Sequence, residues 1–289
     1  MKNYRLNLDK NICVGCQICS LACPKEAIKL EKQPKEHGGK AKKAKVDIDL
    51  AKCNFCGICD ILCPYGAIRV TLNGEHLLSV LEKESFPQLI RDIQVDAGKY
   101  RAGIKECEEA CPLNLITVEM LTADGKPVED VGSLTKKEKA RLKTKIDVDK
   151  EHCPCCRVCE FKCPDGVMLV RKFLHGKIEI NQEKCPEGCT DCLDVCPITG
   201  ALYFSDDEKK VQVNETFCVY CGACKIVCPV EEALTLKRTK LSHTPIKSGA
   251  WNKALERIAS PLEISKELKA KGQQKAMEAV EKLLVPKKE

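Results

Sequence analysis

Aromatic residues are scarce: one Trp, five Tyr and six Phe among 289 residues. The 44 % hydrophobic share includes cysteine, and without it about 36 % remains, too little apolar mass for one large core of this length. No run approaches the 18 or so apolar residues of a membrane-spanning helix, so no membrane span is expected. The opening stretch, MKNYRLNLDK, lacks the apolar segment of a secretory signal, which predicts a cytoplasmic protein. G-x-G-x-x-G, a phosphate-binding loop and H-E-x-x-H are all missing, which removes the usual dinucleotide, nucleotide and zinc-protease chemistries. Histidine is confined to five scattered positions, His37, His76, His152, His175 and His243, and the charged residues form no acid–base constellation.

What the chain has is cysteine, 23 residues of it. Without secretion, metal binding explains that number better than a disulfide framework does. One pattern recurs six times: an alternating apolar stretch, a cysteine cluster, Cys-Pro, then a second apolar stretch. The flanks read as short strands and the residues between the third and fourth cysteines as one helical turn, stopped by proline. Pairs of such repeats predict an α+β fold. Its expected divisions are residues 1–95, 96–178 and 179–238, followed by a helical C-terminal tail over 239–289 that starts at the capping box Ser260-Pro261-Leu262-Glu263.

Four copies obey C-x2-C-x2-C-x3-C-P: Cys13/Cys16/Cys19/Cys23, Cys53/Cys56/Cys59/Cys63, Cys153/Cys156/Cys159/Cys163 and Cys218/Cys221/Cys224/Cys228. This is the bacterial-type run for [4Fe-4S] clusters, in which the fourth cysteine serves the other cluster of a pair. Three thiolates on one tight loop reach three corners of a cubane, and Gly15, Gly57 and Gly222 let the backbone approach it closely. If successive repeats are partners, Cys63 completes the Cys13, Cys16, Cys19 site and Cys23 completes the Cys53, Cys56, Cys59 site. A nested arrangement would keep the triplets and exchange the fourth ligands.

The fifth copy is longer by one residue: Cys185, Cys189 and Cys192, with Cys228 as the expected fourth ligand, while Cys196 goes to Cys218, Cys221 and Cys224. The third is damaged. Counting back from Cys111-Pro112, Cys107 keeps the third position, but Ile104 and Arg101 occupy the second and first. Cys111 is then free to join Cys153, Cys156 and Cys159. Cys107, Cys155 and Cys163 are left over, either as a vacated site or as an atypical cluster, so five clusters are expected and six are possible. The formal charge of +6 counts every thiol as neutral; about five clusters at −2 each would turn it to about −4, so it argues for no nucleic-acid partner.

Two other chemistries were weighed on these residues. Cys185, Cys189 and Cys192 share the spacing of radical S-adenosylmethionine enzymes, but Asp191 stands where those carry an aromatic residue, and no barrel-like succession of strands and long helices surrounds it. A zinc-bound scaffold would use two separated Cys-x-x-Cys pairs rather than three cysteines in seven residues followed by Cys-Pro. Among the spacers, residues 31–45 read as a lysine-rich solvated loop or a docking surface for an acidic partner, and residues 72–95 as partly helical up to Pro87. Turns are expected at Asn73-Gly74 and Asp124-Gly125, and a hairpin at His175-Gly176. The tail is expected either to pack on its own chain or to dock on another subunit.

Over about residues 5–237 these motifs resemble polyferredoxins, chains of bacterial-type two-cluster ferredoxin modules. The stretch TLNGEHLLSVLEKESFPQLIRDIQVD after the second repeat, and the third repeat's CEEACP, resemble the polyferredoxin subunit of tungsten- or molybdenum-containing formylmethanofuran dehydrogenase of methanogenic archaea. That resemblance implies an electron-transfer subunit, not catalytic alone, relaying electrons to a pterin-bound metal centre that reduces carbon dioxide. The implied partners are the other subunits of that complex, with a heterodisulfide reductase, a hydrogenase or a soluble ferredoxin as alternatives. The chain departs from the pattern at Arg101 and Ile104.

Overall fold

The computed structural model describes residues 2–36, 38–100, 106–128, 131–139, 141–164, 166–245 and 258–259. Arg101 and Ile104 lie outside them, as does nearly all of the expected C-terminal helix, including its capping box.

Each cysteine motif is bracketed by strands, as the alternation predicts. The first two motifs lie among β1 (Tyr4–Leu8), α1 (Ile18–Ala22), β2 (Ile28–Glu31), β3 (Lys45–Ile48), α2 (Ile58–Leu62) and β4 (Ile68–Leu72). Here β1 pairs antiparallel with β4, and β2 with β3. The outer strands of two successive motifs thus pair with each other, and so do the inner ones. After a short α3 (Ser79–Glu82), the rule repeats with β5 (Asp92–Val95), α4 (Glu106–Ala110), β6 (Ile116–Leu121), α5 (Lys136–Lys139), β7 (Lys143–Val148), α6 (Val158–Lys162) and β8 (Met168–Arg171). In that part β5 pairs with β8 and β6 with β7. It repeats once more with β9 (Leu174–Ile180), α7 (Asp191–Asp194), β10 (Leu202–Ser205), β11 (Lys210–Val213), α8 (Ala223–Val227) and β12 (Leu234–Leu241), where β9 pairs with β12 and β10 with β11.

Each of these sheets has two strands, too few to be stable in water alone. The apolar residues of the short helices tie them together. Ile18, Ile58 and Leu62 are each about 1 % exposed. Burying a side chain of that size contributes roughly 2 kcal/mol. One core joins residues of all three motif pairs, including Val14, Tyr65, Val158, Ile198, Val219 and Val227.

The spacer after β4 is partly helical as expected, with the four-residue α3 lying before Pro87. One local expectation changes. His175 and Gly176 lie inside β9 rather than in a turn, because that strand is held by distant β12, with a register shift between Arg238 and Lys240. The lysine-rich loop is exposed over most of its length, as expected of a solvated loop, and is anchored at three points. Lys35 pairs with Asp191 Oδ1 at 2.5 Å, the Ala41 amide donates to Asp194 Oδ2 at 2.9 Å, and Lys32 Nζ donates to the Cys228 carbonyl at 2.7 Å. It straps the first motif pair onto α7. Replacing both anchors, Asp191→Ala with Asp194→Ala, is expected to speed tryptic cleavage within 31–45 about three- to tenfold, the effect of losing two modest, partly exposed contacts. The turns at Asn73-Gly74 and Asp124-Gly125 form as read, with positive φ at Asn73, Gly74 and Gly125.

Candidate metal centres

The motif loops share one backbone trace. The second residue after the first cysteine and the residue after the second cysteine both take positive φ: Gly15 and Gln17, Phe55 and Gly57, Cys155 and Arg157, Tyr220 and Gly222. Five of these eight carry a side chain there, a conformation that costs energy unless the surroundings impose it. At Gly15 the reason for glycine is direct, since a Cβ would stand 2.7 Å from the Ala44 carbonyl oxygen. The four helices that follow start at a left-handed cap with no side-chain hydrogen bond, because the loop is shaped around its thiols and not around a capping residue.

A second recurring device was not recognised in the sequence. Four residues before the first cysteine stands Asp9, Asp49, Asp149, Asn181 or Asn214. Each side-chain oxygen accepts from the amide two residues on, at 2.8, 3.0, 3.1, 2.9 and 3.0 Å respectively. The resulting Asx turn bends the chain from strand into loop. The degenerate third motif has Ala97 at the matching position. The signal was present as Asp or Asn at fixed offset from each intact loop.

Within each of the five expected sets the thiols act on one another electrostatically, and sets also touch: Cys221 acts on Cys16, Cys19 on Cys59 and Cys192 on Cys224. Cys63 acts on Cys13, Cys16 and Cys19. Cys23 acts on Cys56, which also feels Cys53, and Cys59 feels Cys56 and Cys53. Cys111 acts on Cys156 and Cys159, which share Cys153. Cys228 acts on Cys185 and Cys192, which share Cys189. Cys196 is affected by Cys218 and Cys221, and Cys224 by all three. We refer to these as the Cys13, Cys53, Cys153, Cys185 and Cys218 sets. In each set the expected fourth member belongs to the neighbouring motif of the pair, whose strands pair with those of the triplet.

The donor sets suit a cluster. Burial and then the neighbouring thiols push Cys19, Cys159 and Cys192 up to about 12, and burial does the same to Cys196. Thiolates crowded in apolar surroundings repel one another and call for a compensating cation. Backbone amides already face the sulfurs: Ala27 N to Cys23 Sγ at 3.3 Å, Ala67 N to Cys63 Sγ at 3.2 Å and Leu115 N to Cys111 Sγ at 3.3 Å. The Tyr65 hydroxyl is buried among Cys221, Cys16 and Cys196, with Cys221 close enough to act on it by hydrogen bonding. A sulfur-rich cluster would accept its proton.

The leftover thiols behave differently. Cys107 and Cys163 form a disulfide across the degenerate site, and both are buried. Cys155, also buried, serves Cys153: its thiol lowers the Cys153 pKa by hydrogen bonding while its own is raised. Replacing Cys107 and Cys163 together by serine is therefore expected to leave the iron content unchanged, checked by metal analysis beside the parent chain.

Comparison with known proteins follows the same lines. The 4Fe-4S dicluster domain family matches residues 12–67 and 172–231. An aliphatic sulfonate oxidoreductase, polyferredoxin-like subunit, of Pyrococcus furiosus is 33 % identical over 95 residues, 29 % of this chain and 53 % of that protein. The polyferredoxin protein MvhB of Methanothermus fervidus is 30 % identical over 105 residues, 35 % of this chain and 25 % of that one. The chain thus spans about half of the first relative and a quarter of the second. A chain in the formate dehydrogenase–heterodisulfide reductase–formylmethanofuran dehydrogenase complex of Methanospirillum hungatei superposes with a TM-score of 0.73 at 30 % identity, covering 90 % of this chain and 85 % of that one. This chain is a polyferredoxin. The matched family is named for its paired 4Fe-4S clusters, and the Pyrococcus furiosus relative is named as the polyferredoxin-like subunit of an oxidoreductase. Among the described residues of this polyferredoxin no helix is long and apolar enough to cross a membrane.

Proposed function

We propose that the polyferredoxin is a wire of five [4Fe-4S] clusters in three two-cluster modules, 1–95, 96–178 and 179–238, the middle one having lost a cluster. Cys13, Cys16, Cys19 and Cys63 would hold one cluster, and the Cys53, Cys153, Cys185 and Cys218 sets the other four. A fully thiolate-ligated cluster supplies one-electron transfer and offers no open iron to a substrate. The chain's own part is to exclude water, aim amides at sulfur and set the spacing between sites. Cys228 beside Cys185 and Cys192 supports a closed fifth site rather than a radical one.

The electrons are destined for a formylmethanofuran dehydrogenase that reduces carbon dioxide. The observation that carries this is the near full-length likeness to a chain of a complex containing that enzyme. The test is to mix the dithionite-reduced polyferredoxin anaerobically with purified catalytic subunits of each candidate partner and follow the return of its visible absorbance. Reoxidation dependent on carbon dioxide and methanofuran supports the proposal. Reoxidation only by a heterodisulfide reductase or hydrogenase assigns the wire to those complexes.

A further inference from the structure

Three of the five thiol sets meet at one place, and each meeting is spanned by a half-buried or buried cation. Arg91, just before β5, donates through Nη2 to the Cys63 carbonyl at 2.9 Å and through Nη1 to the Pro64 carbonyl at 2.9 Å and to the Cys153 carbonyl. It thus bridges the Cys13 and Cys153 sets while its guanidinium lies over Phe173, 5.0 Å from the ring centre. Lys172, between β8 and β9, donates to the Cys218 carbonyl at 2.7 Å and feels Cys156, bridging the Cys218 and Cys153 sets. Arg238 on β12 is 5 % exposed. It donates to the carbonyls of Tyr220, at 2.8 Å, and Cys221, and Cys16 acts on it from the first motif. It closes the third side, between the Cys218 and Cys13 sets. A Cβ on Gly222 would stand 3.0 Å from Arg238 Nη2 and 3.7 Å from the Cys16 carbonyl oxygen, so this corner is packed tight.

We propose that Arg91, Lys172 and Arg238 are positioning residues that hold the three inner sets as an electron-storing junction, raising their reduction potentials above those of the outer Cys53 and Cys185 sets. This rests on the five-cluster reading. Adding an electron makes a cluster more negative, so a fixed nearby cation favours the reduced form, and more strongly where water is excluded. Near the outer Cys185 set, Lys32 and Lys35 are exposed, Lys35 is paired with Asp191, and the effect of both is screened. Lys210 is half-buried there and held by the Gln182 carbonyl, but it is a single cation acting on one set, against three that each span two. Backbone carbonyls hold the three inner cations in place; Glu151 acts on Arg91 and Glu215 on Lys172, while the groups acting on Arg238 are thiols. Electrons entering by an outer set would collect at the junction and leave by whichever route the partner draws.

The test is a redox titration of the full chain followed by electron paramagnetic resonance, on Arg91→Met, Lys172→Met and Arg238→Met. Lys237→Met is the control, an exposed cation one residue from Arg238. The parent should titrate in two steps, about three clusters before about two. Each variant should lower the reduced-to-oxidised ratio of the upper step about tenfold at fixed potential, equal to about 59 mV for one electron. The lower step and the control should not move. Arg238→Lys, which keeps the charge, should restore the potential, and it decides the matter if a methionine variant loses its iron. A single-step parent, an upper step unmoved by the variants, or Arg238→Lys behaving as Arg238→Met would overturn the proposal. Iron well below about 20 per parent chain would instead overturn the five-cluster reading beneath it.

Discussion

Cys63→Ser is expected to remove about four irons per chain, and to remove them from the Cys13 set rather than from the loop that carries Cys63. Cys63 ends the second motif in sequence, yet its thiol acts on Cys13, Cys16 and Cys19. Serine at that position leaves three thiolates where four balanced the site. The crossed assignment makes a sharper claim about pairs of substitutions, because changes within one set do not add. Cys63→Ser with Cys13→Ser should lose no more iron than either alone, whereas Cys63→Ser with Cys53→Ser should lose about eight. Metal analysis of the four proteins checks it. Additive loss in the first pair and not in the second would return Cys63 to its own loop.

Removal of iron is expected to unfold the chain, the largest effect on stability available. Two-stranded sheets and five-residue helices leave little to hold the parts together once the thiols are uncoupled. Metal binding is then folding free energy, as in other small metal-stapled domains. After oxidation and chelation under denaturant-free conditions, circular dichroism should lose its strand signal and the thermal transition its cooperativity. Retention of both would show that the cores alone suffice.

The cluster loops were readable because their information is local: three cysteines in seven residues, glycine at the tightest turn, and proline after the fourth. Strand alternation such as Val46 and Ile48 located the flanks for the same reason. The fourth ligands were readable only given the partner order, which the sequence left between adjacent and nested; the pairing of β1 with β4 joins adjacent motifs. The junction was not readable. Arg91 reaches Cys153 across 62 residues and Lys172 reaches Cys218 across 46, and no periodicity reports such contacts. The lysine-rich loop is as exposed as its composition suggests, but its anchor was not readable, because Lys35 finds Asp191 156 residues away. His175-Gly176 looked like a turn because its partner β12 lies far along the chain. The disulfide joins two of the three thiols that the motif count leaves over, where Arg101 and Ile104 replace the first and second cysteines of the third copy.

The central claim is tested most directly by iron, acid-labile sulfide and zinc per chain on anaerobically prepared protein. The account predicts about 20 irons with equal sulfide and no stoichiometric zinc. About 24 irons would contradict the loss of the sixth site, and zinc with little iron would contradict the electron-carrying reading itself.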